Sequence, residues 1–288
     1  MRSRFLFWGL LFLLLSSGPI HAQSVWVRPA DRTSAVSVEW LKPVFSDEGP
    51  TFFSSSLVVS GQARLADRLM LVGEIPLTYV RGRSEEQDPT TVGGSVDGSE
   101  QESSGTSVGN PYVGIELYGT SAPFFVELGV RLPVAKEPDL LPALVGSLID
   151  LNRVGAYAVD LMPLQLVGNY RHEFAGSNVS VRLRGGPETY LPTSEYGSGG
   201  MVLTYGAQGW YHGEQVEVGL GGTGRWAVTQ TEVGFRESSL HQITGMVRGT
   251  FGRLQPGVMV RVPLSEELRD AFPVVVGASL SVSLSGKS

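Results

Sequence analysis

Three histidines lie beyond residue 22: His172, His212 and His241. None stands at a spacing from a second histidine or a carboxylate pair that reads as a metal-ligand set. The chain has no cysteine, which excludes thiol catalysis and a disulfide framework. Gly219-Leu-Gly-Gly-Thr-Gly224 matches G-x-G-x-x-G. A dinucleotide site needs a strand before that motif and a helix after it, so that phosphate meets a helix N-terminus. Here Arg225-Trp-Ala-Val228 continues a strand pattern, and the glycines read as relief for curvature or a crowded interior. A hydrolase acting on membrane lipid would need serine and histidine together on a lipid-facing wall. His172 shares the parity of Leu164, Leu166 and Tyr170, so it reads as a polar residue at a membrane interface. No serine can be paired with it from spacing. No catalytic residue, cofactor site or metal site is predicted, and lipid hydrolysis stands as the least favoured reading.

The more informative set is ionic. Glu39, Glu74, Glu116 and Glu127 fall in the first half of the chain. Arg171, Arg182, Arg184, Arg225, Arg248 and Arg261 fall in the second, with Arg131, Glu173 and Glu217 interrupting the segregation. If all of them line one lumen, acidic and basic walls face each other. Such walls could orient a dipolar solute across an open path. They could equally pair and plug the interior.

The elements carrying these charges alternate with period two. From Phe124 to Val134 the even positions are Phe, Val, Leu, Val, Leu and Val, while the odd ones include Glu127, Gly129 and Arg131. Successive side chains of a strand point to opposite faces, so one face is apolar and the other mixed. About twelve such segments occur, over 34–44, 52–65, 68–81, 109–119, 122–134, 162–174, 178–191, 200–211, 214–227, 240–251, 254–264 and 271–285. Most reach the roughly 9–11 residues that a tilted strand needs to cross a bilayer. Tight turns at 65–68, 120–122, 175–177, 212–213 and 252–253 alternate with longer links. Aromatic residues mark both strand ends on the apolar face: Trp40, Phe53, Tyr79, Trp226 and Phe272 at the long links, Phe124, Phe174, Tyr211 and Phe251 at the turns. This pattern predicts an all-β fold, a transmembrane antiparallel up-and-down β-barrel of about twelve strands. Short periplasmic turns, longer extracellular loops and two aromatic belts belong to that architecture.

The ends and composition agree. Arg2 and Arg4 precede an apolar run from Phe5 to Leu15, and Ile20-His-Ala22 offers a small residue for cleavage. This is the pattern of a secretory signal peptide. The expected organisation is therefore a signal peptide over 1–22, a short periplasmic segment over 23–33 and a barrel over 34–288. The net charge of −6 becomes −8 without Arg2 and Arg4, since residues 1–22 contain no acid. An acidic chain without a basic cluster is unsuited to nucleic acid. The expected surroundings are outer-membrane lipid and a small-molecule solute.

Two links stand out. Residues 82–108, rich in Ser, Gly and acid, read as a solvated external loop. Residues 138–160, with Leu140, Leu141, Leu144, Leu148 and Ile149, are too apolar for a bare loop and read as a short helix that caps or enters the barrel.

Three phrases carry a family resemblance: Leu65-Ala-Asp-Arg-Leu-Met-Leu-Val-Gly-Glu-Ile-Pro-Leu77, Val108-Gly-Asn-Pro-Tyr-Val-Gly-Ile-Glu-Leu117 and Val126-Glu-Leu-Gly-Val-Arg-Leu-Pro133. They resemble a broad group of Gram-negative outer-membrane proteins described as transporters, by similarity to a protein encoded with phenol meta-cleavage pathways. The resemblance implies an outer-membrane barrel and passive transport of a small hydrophobic, aromatic or dipolar solute. A closed structural or binding barrel is the alternative. The chain departs from such barrels in ending on Leu284-Ser-Gly-Lys-Ser288 rather than on an aromatic residue.

Overall fold

The computed structural model of the chain describes residues 33–45, 52–85, 100–119, 123–135, 140–195, 199–229 and 238–284. The expected signal peptide over 1–22, most of the segment over 23–33 and the final Ser285–Ser288 lie outside the described residues.

Thirteen strand segments follow in chain order: β1 Ala35–Val44, β2 Phe52–Ala66, β3 Leu69–Glu85, β4 Glu100–Val108, β5 Tyr112–Tyr118, β6 Phe124–Arg131, β7 Leu161–Glu173, β8 Val179–Pro192, β9 Gly200–His212, β10 Val216–Ala227, β11 Ser239–Gly249, β12 Leu254–Pro263 and β13 Val274–Ser283. Each pairs antiparallel with its neighbours, and β1 pairs with both β2 and β13, which closes the sheet. Closure removes the unpaired edge that a bilayer would not tolerate.

The staves number twelve because β4 and β5 share one. β3 pairs with β5 through Leu69–Glu74 and with β4 through Leu77–Glu85. The break between them is Gly109-Asn110-Pro111. The expectation of a solvated loop over 82–108 is corrected at both ends. Gly82–Glu85 extend β3, and Glu100–Val108 form β4 against it. Polar sequence misled there because a strand extended beyond the bilayer has water on its outer face and needs no apolar alternation.

Exposure follows the predicted parity. On β6, Phe124 is 59%, Val126 44% and Leu128 51% exposed, while Phe125, Glu127 and Arg131 are buried. Leu166, Leu183, Leu220, Val258 and Leu280 are likewise exposed around the wall. An apolar girdle with a polar interior inverts a water-soluble sandwich and suits a lipid surround. At the turn end Phe124 packs on Tyr170 with ring centroids 4.7 Å apart, and His172 meets Phe174 edge-on at 4.8 Å. Phe272 breaks the belt pattern. It is buried inside with Leu41, Leu268 and Val275, because the short helix Glu266–Ala271 turns it inward before β13 begins.

Two substitutions on one strand test the facing. Val126→Arg places a charge in the girdle at a cost of about 2–4 kcal/mol near the midplane. The heat-modifiable gel band of the folded barrel should weaken or vanish. Gly129→Ser, mild if the lumen has room there, is expected from the structure to be harmful as well. A side chain at Gly129 would run into the Tyr112 ring, and Tyr112 is held by its hydroxyl donating to Glu127 Oε1 at 2.7 Å. Overpacking of this kind costs about 1–3 kcal/mol. A lower melting temperature for Gly129→Ser than for the parent is the measurement.

Candidate functional site

The link between β6 and β7 does not stay outside the barrel. It forms helix α1, Leu140–Ile149, and then a 3-10 helix, Leu151–Tyr157, within the interior. Asp150 joins them as N-cap, its side chain accepting from the Asn152 backbone N–H. The apolar residues that made this link unlike a loop, Ile149 and Leu151 among them, pack with Leu41, Trp210, Met246 and Met259 from the wall.

Asn110 ties the inserted segment to the wall. Its Nδ2 donates to Ala158 O at 2.7 Å, and its Oδ1 accepts from the backbone of Val134 and Ala135 at 2.8 Å each. Its own N–H donates to Ala156 O at 2.5 Å. The preceding Gly109 has to be glycine, since a Cβ there would stand 2.6 Å from that same carbonyl. Tyr157 anchors the far end, with Thr78 Oγ1 at 2.6 Å and Ser56 Oγ at 3.2 Å from its hydroxyl.

Arg153 sits at the centre of an ionic cluster. It meets Glu39 at 2.8 Å, Glu74 at 3.0 Å and Asp150 at 2.7 Å. Arg261 meets Glu39 at 2.5 Å and Asp150 at 2.7 Å, and Arg131 meets Glu74 at 2.5 Å. Each of the three carboxylates therefore touches two guanidiniums. All six groups are buried, so their mutual attraction must offset a desolvation cost of several kcal/mol per ion. Burial alone would raise the Asp150 carboxyl; Arg261 and Arg153 outweigh it and hold the group well below the usual carboxylate range. A second tie lies across the lumen. Arg225 pairs with Glu188 at 2.7 Å and donates to Tyr190 Oη at 2.5 Å and to Leu151 O at 3.2 Å.

Of the charges expected to line the lumen, Glu39, Glu74, Glu116, Glu127, Arg131, Arg182, Arg225, Arg248 and Arg261 are buried, Arg171, Arg184 and Glu217 are half-buried, and Glu173 is exposed at the end of β7. Glu39 and Glu74 reach the basic side through Arg153 and Arg261 rather than across open water. Glu116 accepts from the Tyr118 hydroxyl and Glu127 from Tyr112. Near the turns, Glu217 pairs with Arg248 and with His212 Nδ1, the latter at 3.0 Å. His212 Nε2 lies 2.7 Å from Ser180 Oγ. Ser180, His212 and Glu217 thus form a hydrogen-bonded chain on the inner wall, a pairing that spacing alone did not reveal. His172 lies apart from it, on the outer face. Gly219–Gly224 is strand throughout, within β10. Among the described residues no cluster of His, Cys, Asp or Glu could hold a metal ion.

Arg171, Arg182 and Arg184 gather elsewhere. They line a small cavity of about 30 Å³ between β6 and β10, together with Phe125, Asn169 and Gln208. This space lies on the turn side of Arg225 and Glu188.

Sequence reasoning missed Asp150, Arg153, Tyr157, Asn110 and Glu188. Arg153 and Asp150 were visible only as charges in an otherwise apolar link. Asn110 was visible only as part of a resemblance phrase.

No protein-family model matches the chain, and no curated protein matches it in sequence. Among solved structures it is similar to an outer membrane channel from Pseudomonas putida F1, with 15% identity and a TM-score of 0.53, covering 93% of this chain and 98% of that one. It is also similar to LpxR from Salmonella typhimurium, with 12% identity and a TM-score of 0.51, covering 87% of this chain and 100% of that one. At such identities the likeness is one of fold, and a fold hosts more than one function. The chain has the outer-membrane β-barrel fold, a closed barrel of twelve antiparallel staves.

Proposed function

We propose that this barrel conducts a small solute across the outer membrane, by a path that runs beside the inserted segment. The observation that carries this reading is the closed barrel with a polar inner wall, on which Arg171, Arg182 and Arg184 line a small cavity of about 30 Å³. The phrases that resemble transporters encoded with phenol meta-cleavage pathways support a compact solute with an aromatic or dipolar body. The similarity to an outer membrane channel supports the reading at the level of fold. Purified protein in a planar bilayer is the test. Discrete conductance steps that shrink as a conducted solute is added are expected. A silent parent protein, correctly folded by its heat-modifiable migration, would reject conduction in favour of a closed structural barrel.

A second reading rests on the chain Ser180–His212–Glu217. Hydroxyl, imidazole and carboxylate at 2.7 Å and 3.0 Å are the order and spacing of a serine nucleophile, its base and an orienting acid. Two features oppose it: Ser180 is 1% exposed, and Glu217 is already committed to Arg248. A fluorophosphonate probe decides, because an activated serine is labelled and Ser180→Ala abolishes the label. Absence of labelling in the folded parent rejects hydrolysis at this site.

A further inference from the structure

The polar side chains that hold the inserted segment in the lumen each have a second partner on their own side. On the wall, Glu39 has Arg261 at 2.5 Å and Glu74 has Arg131 at 2.5 Å. Arg225 has Glu188 at 2.7 Å and the Tyr190 hydroxyl at 2.5 Å besides Leu151 O. Thr78 and Ser56, which meet Tyr157, reach each other at 3.5 Å, and Ser56 also donates to Leu77 O. On the segment, Arg153 has Asp150 at 2.7 Å, and Asp150 also accepts from the Asn152 backbone. The six ions of the central cluster thus divide into three pairs, two on the wall and one on the segment, each neutral by itself.

This division bears on movement. Breaking a buried ion pair is costly because one charge is left without its counter-ion. A segment that supplied the only counter-ion of Glu39 or Glu74 would be fixed in place by that cost. Here no ion of either part is stranded when the two separate. What separation gives up is the apolar packing of Ile149 and Leu151 on Leu41, Trp210, Met246 and Met259, together with hydrogen bonds that water replaces.

The segment also has a single base. Asn110 accepts from Val134 and Ala135 ahead of it and donates to Ala156 O and Ala158 O at its end. Both flanks therefore meet on one wall residue, as in a compact loop whose ends lie close together. Between Asp150 and that base the 3-10 helix is kinked at Arg153, where φ is −120° and ψ is 16°.

We propose that residues 140–154 are a displaceable plug. It swings about the Asn110 base between its seat in the lumen and a withdrawn position in water at the long-link end, carrying the Asp150–Arg153 pair with it. The seated form is the major state and the withdrawn form a minor one. The inference rests on the reading of the lumen as a solute path, and it names what widens that path.

Cysteine accessibility tests this without reference to flux, so the two readings can fail separately. The chain has no cysteine of its own, so one introduced thiol reports one position. The full mature chain, folded in lipid vesicles, is treated with a charged, membrane-impermeant maleimide. Three single variants are compared: Ala143→Cys, buried on α1; Leu144→Cys, 58% exposed beside it; and Val72→Cys, buried on the wall. Leu144→Cys should label fast, which sets the rate for an open thiol. Ala143→Cys should label more slowly but to completion, and Val72→Cys not at all in a barrel that keeps its heat-modifiable migration. Adding Arg153→Met should speed Ala143→Cys by about tenfold or more, because the seated form then sets three carboxylates against two guanidiniums, whereas withdrawal puts Asp150 in water. Labelling of Ala143→Cys no faster than that of Val72→Cys, with and without Arg153→Met, overturns the proposal. So does a rate that Arg153→Met leaves unchanged. A second variant tethers the plug. A Cβ at Gly146 would stand 2.6 Å from Thr78 Oγ1, so cysteines at these two positions lie within reach of a disulfide. Oxidised, the Thr78→Cys, Gly146→Cys protein should hold planar-bilayer conductance at its lowest level, and reductant should restore the larger steps. Conductance that ignores the tether overturns the role of the plug in the path. Labelling of Ala143→Cys in a barrel that never conducts upholds the plug and rejects the path; conduction without such labelling does the reverse.

Discussion

Replacing Arg153 by methionine should cost about 3–5 kcal/mol, the range for breaking a buried ion pair by removing one partner. The guanidinium contacts Glu39, Glu74 and Asp150 together, so its loss leaves three carboxylates short of a counter-ion in one place. Methionine fills much of the volume, which confines the effect to charge. Arg261 still serves Glu39 and Asp150, and Arg131 still serves Glu74, so the barrel should assemble but unfold at lower temperature or denaturant. Conversion of the heat-modifiable band as temperature rises gives the shift. An unchanged transition would mean that water reaches this cluster and screens it. Glu39→Gln alongside Arg153→Met should cost less than the sum of the two single changes, as expected of groups that interact directly.

Excising residues 140–157 and joining the ends with a short Gly/Ser linker should give the largest functional change. The stability cost is expected to be smaller than that of Arg153→Met, although many more contacts disappear. The reason is solvent. The single substitution leaves carboxylates buried without their partner, whereas excision lets water enter and hydrate Glu39, Glu74 and Arg225 in place of Arg153 and Leu151. A twelve-stave barrel emptied in this way has a continuous lumen, narrower than that of a large porin. Conductance in a planar bilayer should rise by about an order of magnitude or more, on the principle that pore width and wall charge set passage. The widened pore should discriminate between ions by wall charge, and added salt should blunt that discrimination. Conductance equal to that of the parent would show that the inserted segment does not limit the path.

These two expectations change what the wall charges can be asked to do. From the sequence, neutralising Arg182 and Arg225 should shift selectivity toward cations, and neutralising Glu74 and Glu127 toward anions. In the structure the four residues have different duties. Arg225 and Glu74 hold the inserted segment, so their loss should register first as stability. Glu127 braces Tyr112. Arg182 lines the cavity and is the residue of the four whose neutralisation bears on selectivity.

The sequence by itself determined the barrel. Period-two alternation assigns each strand residue to lipid or lumen, and a one-residue slip would turn every side chain to the wrong face. That is why Val126 and Glu127, or Leu183 and Arg182, could be sorted without coordinates. Short turns and long links then set the number of staves. Only the tertiary structure decided what occupies the lumen. The inward charges are separated by up to 222 residues in the contact between Glu39 and Arg261, and no local period encodes which acid meets which base. Those partners were chosen by the closure of β1 on β13 and by the path of one apolar link. The same holds for Ser180 with His212 and for the three cavity arginines, which are near neighbours in sequence but acquire a common space only when β9 and β10 curve round to face them. Strand facing is a local steric rule and is written residue by residue. The composition of the lumen depends on which staves become neighbours across it, and that follows from closing the sheet.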